Sequence, residues 1–129
     1  MRLMRTSTKA TLATLIAGLT ILAMAPVAQG HTFNAPSTVT IDYDGRNFYG
    51  SVASARRSCT RWRKITLFKQ RPGRDRRVAF DTTNRSGNYR IHRPRARGRF
   101  YVKVARRASG GYGHIHVCGR DRSPTRRVR

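Results

Sequence analysis

Residues 80–104, FDTTNRSGNYRIHRPRARGRFYVKV, contain a whole supersecondary unit. A polar turn at 83–87 leads into a run of alternating apolar and polar side chains at 88–92. A basic connection that ends at Gly98 leads into a second such run at 99–104. Alternation with a period of two is typical of strands with one buried face. The stretch therefore predicts a β-hairpin, and further strands must cover it because a two-stranded ribbon is not stable alone.

Short runs of the same kind, separated by turn residues, recur along the rest of the chain. Five further strands are predicted, at 38–43, 48–55, 64–70, 78–80 and 114–118. Asp44-Gly45 and Pro72-Gly73 are the turn signals between them. Residues 109–113 are expected to form a flexible tip, and 123–129 a final edge strand or a basic tail.

The first 30 residues have the pattern of an export signal. A basic segment at 2–9 precedes an uncharged, apolar run at 10–28. We expect cleavage before His31, with cleavage after Ala25 and an uncleaved membrane anchor as alternatives. The sequence therefore predicts a secreted protein, either extracellular or associated with the cell surface.

The part that follows the signal is expected to be one small domain. It divides into a lead-in at 31–37 and a single seven-stranded antiparallel β-sandwich at 38–129. A domain of about a hundred residues buries only roughly 60–65% of its unfolded surface, so a covalent brace would stabilise it. Cys59 and Cys118 are predicted to form a disulfide in an oxidising compartment. Zinc is not expected, because no second cysteine pair or Cys–His pair has ligand spacing.

The net charge of the chain is strongly positive. There are 28 Lys and Arg against 5 Asp and Glu, a net charge of +23. Removal of Arg2, Arg5 and Lys9 with the signal leaves 25 basic and 5 acidic residues, or +20. Such a field attracts polyanions at low ionic strength. A charge that only keeps the protein soluble is the alternative interpretation.

Arginines in the predicted connections are the candidate polyanion-binding residues, because guanidinium groups fit phosphate and carboxylate oxygens. They are Arg61, Arg63, Arg74, Arg76, Arg93, Arg95, Arg97, Arg106 and Arg107. Trp62 and Tyr112 are candidates for stacking on a sugar or a base, with a core position beside the disulfide as the alternative for Trp62. The expected partners are anionic cell-wall or envelope polymers and, without sequence preference, extracellular nucleic acid. No small-molecule substrate is expected.

Histidines offer a minor, metal-binding alternative. His114 and His116 lie two residues apart, and His92 could join them from a neighbouring strand. His31, as a free N-terminus, could bind copper through its amino group and its ring. Solvated or packed histidines explain the same pattern, so no cofactor is expected.

Catalytic residues are not apparent in the sequence. The acidic side chains all lie in or beside predicted turns, at Asp42, Asp44, Asp75, Asp81 and Asp121. Neither a nucleophile with its base and orienting acid nor a carboxylate pair for glycoside hydrolysis is evident. We therefore expect a protein that is not an enzyme.

Four short motifs follow one another along the chain: GSV at 50–52, RKITLF at 63–68, TNRSGNY at 83–89 and GRFYV at 98–102. They resemble the carboxypeptidase regulatory-like, or transthyretin-like, domains, whose hallmarks are a G-x-V strand, a V-x-L strand, a T-D-x-x-G-x-Y turn and a G-x-Y strand. Asn84 stands where the family has Asp, which keeps the turn chemistry. The resemblance covers 38–128 and is greatest to small secreted actinobacterial members with two added cysteines. It implies a prealbumin-like sandwich with an accessory role in binding or spacing, and no catalytic residues.

These observations together predict a secreted, non-enzymatic β-sandwich whose Arg-rich loops associate with anionic polymers. The alternative is a structural or protein-interaction module of the cell envelope in which the charge is incidental.

Overall fold

The computed structural model describes residues 30–129, which form twelve strands and one short 3-10 helix, Arg57–Cys59. The strands are β1 His31–Ala35, β2 Ser37–Val39, β3 Asp42–Tyr43, β4 Asn47–Ser54, β5 Lys64–Lys69, β6 Arg76–Thr82, β7 Asn88–His92, β8 Gly98–Val104, β9 Arg107–Gly111, β10 His114–Cys118, β11 Asp121–Arg122 and β12 Arg126–Val128. The predicted export signal lies outside the described residues, apart from Gly30. None of the helical structure in the described part is long and apolar enough to cross a membrane.

The strands form three sheets, so the all-β class is confirmed and the prediction of a single seven-stranded sandwich is wrong. The largest sheet has the order β11-β8-β5-β6, and β12 also pairs with β8. The turn at Pro72-Gly73 joins β5 to β6 as an antiparallel pair, as predicted. The segment after Ser123 supplies β12, which confirms the predicted final edge strand.

The second sheet is built around β4, which pairs with β2, β3 and β7. The predicted first strand at 38–43 is divided into β2 and β3 because Thr40 interrupts the ladder: its backbone N–H donates to the Ser51 carbonyl, and its hydroxyl accepts from the Ser51 N–H, both at 3.0 Å. Gly50 faces this interruption, and a Cβ there would collide with the carbonyl oxygen of Thr40. The absence of a side chain at Gly50 therefore allows the two strands to approach closely at this point.

The predicted hairpin within residues 80–104 is wrong. β7 pairs with β4 and β8 pairs with β5, so the two alternating runs belong to different sheets. Their apolar faces are nevertheless the predicted ones, since Tyr89, Ile91, Phe100, Val102 and Val104 are all buried. Alternation determines which face of a strand is buried but not which strand it pairs with.

One apolar core joins the two larger sheets. The Phe48 ring of β4 lies 4.7 Å from the Phe100 ring of β8 and 4.5 Å from the Tyr43 ring, measured between centroids. Around these rings the core is completed by buried side chains from both sheets: Val39, Val52, Ile65, Leu67, Tyr89, Ile91, Val102 and Val104. Tilted aromatic pairs at this spacing add to the stabilisation that comes from burial alone.

The third sheet has the order β1-β10-β9 and was not predicted. The expected lead-in at 31–37 contains β1, which pairs in parallel with β10. The expected flexible tip at 109–113 contains the end of β9, which pairs with β10 through a two-residue turn at Tyr112-Gly113, both with positive φ. Burial is confined to the end of this sheet nearest the main core. Ile115 is therefore 48% exposed, whereas Val117 and Cys118 are buried.

The predicted disulfide between Cys59 and Cys118 is confirmed. Both cysteines are buried, and with Ala35 of β1 they form a second, small hydrophobic cluster. The bond attaches the end of β10 to the connection between β4 and β5, so it ties the third sheet to the main body. A disulfide of this kind is typical of an oxidising compartment.

Replacement of both cysteines, Cys59→Ala with Cys118→Ala, should lower the free energy of unfolding by about 4 kcal/mol. The bond constrains a loop with a sequence separation of 59, and the chain-entropy model gives that magnitude for such a loop. Urea denaturation of the oxidised parent and the variant measures the difference. Ser109→Ala, on the exposed strand β9, is the control and should match the parent. Equal midpoints for all three proteins would contradict the assigned bracing role.

Candidate functional site

The basic groove is a cavity of about 390 Å³ between the paired ends of β5 and β6 and the connection from β7 to β8. Five cationic side chains line it: Lys69, Arg76, Arg93, Arg95 and Arg97. The four arginines are among the predicted polyanion-binding residues, whereas Lys69 was missed because it belongs to a strand and not to a connection. Among the described residues that line the groove there is no carboxylate.

Hydrogen bonds fix the backbone of the connection that carries Arg93, Arg95 and Arg97. The backbone N–H of Arg93 donates to the carbonyl of Arg46 at 2.8 Å, and the Arg93 carbonyl accepts from the Tyr43 hydroxyl, also at 2.8 Å. The same hydroxyl accepts from the N–H of Ala96 at 3.2 Å. Arg95, between these two anchors, has φ +59. Because the backbone is fixed on both sides of Arg95, a ligand would have to order the side chains but not the loop.

The floor of the groove is apolar. Phe100 and Val78 line it, and the Lys69 ammonium lies 5.8 Å from the centroid of the Phe100 ring. The arginine side chains at 93, 95 and 97 are exposed above this floor. The groove therefore combines solvent-exposed cations with a short apolar base, an arrangement suited to a chain of negative charges.

All five aspartates accept hydrogen bonds from backbone N–H groups. The donors are Tyr43 for Asp42, Arg46 and Asn47 for Asp44, Arg71 for Asp75, Arg90 for Asp81 and Val39 for Asp121. Within residues 30–129 two ion pairs occur, Arg126–Asp42 at 3.1 Å and Arg90–Asp44 at 3.9 Å, both at the surface. Each carboxylate thus accepts a hydrogen bond from the backbone, and most of the described Lys and Arg side chains have no acidic partner.

The hydrogen bonds that Asp44 and Asp75 accept lower the pKa values of their carboxyl groups. Hydrogen bonds from the backbone N–H groups of Arg46 and Asn47 lower the pKa of Asp44. The Tyr101 hydroxyl donates to Asp75 at 2.5 Å, and this bond lowers the pKa of Asp75. Burial raises the pKa of Tyr101, and the bond to Asp75 raises it further. Tyr101 therefore remains a protonated donor.

Arg63 does not belong to an external binding site, which corrects its prediction as a polyanion ligand. It is 1% exposed, and its guanidinium donates to the Ser37 hydroxyl and to the carbonyls of Cys59, Ala105 and Gly119 at 2.7–2.9 Å. Burial lowers the pKa of Arg63, and the nearby Arg107 lowers it further. Its charge is stabilised by the dipoles of these acceptors, because no carboxylate bonds to it.

The other predicted arginines lie outside the basic groove. Arg107 is half-buried, and its guanidinium donates to the carbonyls of Ser58, Arg61 and Trp62, so it anchors the connection between β4 and β5. Arg61 lines a separate cavity of about 410 Å³ with Arg57 and Arg85. That cavity adjoins the turn between β6 and β7, at the opposite end of these strands from the groove. Arg74 is exposed in the turn between β5 and β6, and Arg106 is exposed after β8.

The two predicted stacking residues are exposed but do not line the groove. Trp62 is 58% exposed, so the alternative of a core position beside the disulfide is wrong. It lies in the turn before β5 and has φ +56. Tyr112 is fully exposed at the turn between β9 and β10.

Three of the four histidines share the third sheet. His31 and His114 are directly opposite on β1 and β10, with ring centroids 6.1 Å apart. His116 Nδ1 lies 2.8 Å from a guanidinium nitrogen of Arg56, which makes that ring nitrogen an acceptor. His92 is bonded to Asn47 on the second sheet. No cluster of three or more potential metal ligands occurs in the described part of the chain.

Comparisons with known proteins return no match: no family model, no curated protein and no solved structure resembles the chain significantly. The resemblance to transthyretin-like domains therefore depends on the four sequence motifs alone.

Replacement of Arg63 by Met should destabilise the protein by about 3–5 kcal/mol. Four acceptors, two of them buried and two partly buried, would lose a charged donor, and each unsatisfied buried group costs about 1–3 kcal/mol before relaxation. Arg63→Lys should lie between the parent and Arg63→Met, because an ammonium keeps the charge but lacks the planar fork. Chemical denaturation measures the series, and Arg74→Met in an exposed turn is the control. A loss for Arg63→Met no larger than that for Arg74→Met would contradict the buried role.

Acidification should destabilise the protein in part through Asp44 and Asp75. Their folded-state pKa values are lowered, so the stabilisation is present above the pKa of an unfolded aspartate and is lost as pH falls through the folded-state value. The melting temperatures of the parent, Asp44→Asn and Asp75→Asn between about pH 6 and pH 2 test this expectation. Each variant should lose less stability than the parent on acidification. Parallel curves for all three proteins would rule out a contribution from these groups.

Proposed function

We propose that the chain is a secreted, non-enzymatic module that binds anionic cell-surface polymers in its basic groove. The observation that carries this proposal is the convergence of five cations, from β5, β6 and the connection between β7 and β8, around a cavity whose described lining contains no carboxylate. Guanidinium groups form paired hydrogen bonds with phosphate and carboxylate oxygens, the charged groups of such polymers.

The arrangement favours a polymer over a small anion. The groove opens between exposed side chains, and its five cations come from β5, β6 and the connection between β7 and β8. A long chain of negative charges can contact several cations at once, and each contact releases counterions. Extracellular nucleic acid would be held at the groove by the same electrostatic attraction without sequence preference.

Secretion and a transthyretin-like arrangement of the two larger sheets complete the proposal. The disulfide and the pattern of the first 30 residues support export. The turn motif supports the resemblance: Asn84 Oδ1 accepts from the N–H groups of Ser86 and Asn88, and Gly87 has φ +83. The motif's tyrosine, Tyr89, is buried and donates its hydroxyl proton to the Thr40 carbonyl at 2.6 Å.

Removal of the groove charges should weaken binding more than removal of equal charge elsewhere. The test variant is Arg93→Gln with Arg95→Gln and Arg97→Gln. The matched control is Arg57→Gln with Arg61→Gln and Arg85→Gln, which removes three charges from the opposite end of β6 and β7. Binding to isolated cell wall and to duplex DNA is measured from about 50 to 500 mM salt. On DNA the slope of log affinity against log salt should fall by about 2–3 in the groove variant, since each contact contributes about 0.9.

The outcomes separate the proposal from its alternative. A larger loss in the groove variant than in the matched control supports the groove. Equal losses in the two variants would make the binding a property of net charge and contradict a site. No salt-dependent binding of the parent to wall or DNA would favour the structural or protein-interaction module.

A further inference from the structure

The outer face of the largest sheet carries aromatic rings and cations in adjacent positions. Ile65, Leu67, Val102 and Val104 face the core, so the alternate positions of β5 and β8 face outward. Phe68 is the cross-strand partner of Tyr101, and Thr66 is the partner of both Lys103 on β8 and Phe80 on β6. We call this surface the aromatic face; it consists of Lys64, Thr66, Phe68, Phe80, Tyr101, Lys103 and Arg122.

Cations lie over the rings of the aromatic face. The Lys64 ammonium is 5.3 Å from the centroid of Phe80, which is 68% exposed. The Lys103 ammonium is 5.1 Å from the centroid of Phe68, which is half-buried. Lysine ammonium groups at such exposed positions are held weakly, because cation–π attraction there is small. A flat ligand can therefore displace them from the rings.

Tyr101 belongs to the aromatic face, but its ring is covered and cannot contact a ligand. It is 2% exposed, and Arg122 covers its ring with a 3.7 Å distance from guanidinium carbon to ring centroid. Its ring is stacked beside Phe68, with centroids 5.3 Å apart and an angle of 8° between planes. The Phe68 ring is therefore held in a fixed orientation between the two strands.

A cavity of about 720 Å³ lies over this part of the sheet. Thr66 and Phe68 line its floor, and Lys103, Arg106, Arg120 and Arg122 surround it. Asp121 also contributes to the lining, but its carboxylate accepts the backbone N–H of Val39 at 2.8 Å. Cavities of this size accommodate small organic ligands of the dimensions of a nucleotide.

We propose that the aromatic face binds single-stranded nucleic acid, with bases stacked on Phe68 and Phe80 and phosphates bound by Lys103, Arg106 and Arg120. Every base offers a flat π surface, and every phosphate offers only acceptors, which match a site rich in donors. On binding, the Lys64 and Lys103 ammonium groups leave the rings and contact the nucleic acid instead. The residues are different from those of the basic groove, so this site does not depend on it.

The hydrogen-bonding character of the face favours nucleic acid over polysaccharide. Sugar hydroxyls need acceptors as well as donors, and Lys and Arg side chains supply only donors. The Tyr101 hydroxyl is already bonded to Asp75, so Thr66 is the one neutral polar side chain of the aromatic face left to a ligand, and its hydroxyl provides one weak acceptor. A polysaccharide would leave many hydroxyls without a partner in this site.

Fluorescence anisotropy with two labelled probes tests the proposal. One is an oligothymidylate of about ten nucleotides, within the usual site size of such surfaces, and the other is an abasic strand with the same number of phosphates. The parent should bind oligothymidylate at least about fivefold more tightly, the lower end of the range for stacking on one aromatic side chain. Phe80→Ala should reduce that preference, Phe80→Tyr should preserve it, and Phe68→Leu should reduce it with the fold intact.

The groove variant Arg93→Gln with Arg95→Gln and Arg97→Gln serves as the second control. It should leave the ratio of the two affinities unchanged, whether or not it weakens both, so failure of the groove proposal and failure of this one are distinguishable. Equal affinity of the parent for the two probes would overturn the proposal. A polymer of uronic acid that competes as well as oligothymidylate, with the same sensitivity to Phe80→Ala, would overturn the assignment to nucleic acid.

Discussion

The buried guanidinium of Arg63 is the interaction on which the connections of the fold converge. It bonds to Ser37 at the start of β2, to the carbonyl of Cys59, which is one of the disulfide cysteines, and to the carbonyls of Ala105 and Gly119. Gly119 directly follows Cys118, so the covalent tie and the hydrogen-bonded tie meet at the same place. A buried cation costs free energy unless its donors are matched, and the planar fork of arginine matches four acceptors where an ammonium could not.

The hydrogen bonds that the aspartates accept also bear on the positive charge of the surface. Each of the five aspartates accepts a backbone N–H, and among them Asp121 and Asp81 reach from one sheet to the other, to Val39 and Arg90. These bonds hold the two larger sheets together, and no carboxylate of the described residues lines the basic groove. The positive field around the groove therefore reflects both the excess of arginine and the placement of the few carboxylates elsewhere on the fold.

Strand faces were predictable from the sequence, but strand partners were not. Alternation at 88–92 and 99–104 identified the side chains that face the main core, yet these strands lie in different sheets, and Tyr101 on the other face of β8 is buried as well. β1, β9 and β11 were missed because they are short, polar or Gly-containing and lack an alternating apolar face. In the groove, Arg93, Arg95 and Arg97 were found because turn chemistry marks connections, whereas Lys69 was hidden at a strand end. Arg63 had a usable signal: counted back from Leu67 and Ile65 in steps of two, it falls on the buried face.

The two proposed surfaces differ in how they respond to salt, and this difference determines what they can discriminate. The groove attracts through charge, and at physiological ionic strength exposed charges interact only over about 8 Å. Stacking on Phe68 and Phe80 is an apolar contact that salt does not screen. As ionic strength rises, affinity for a bare chain of charges falls, whereas affinity for a charged chain that also carries flat rings falls less. Selectivity for nucleic acid over other polyanions should therefore increase with salt, which a protein that acts through net charge alone would not show.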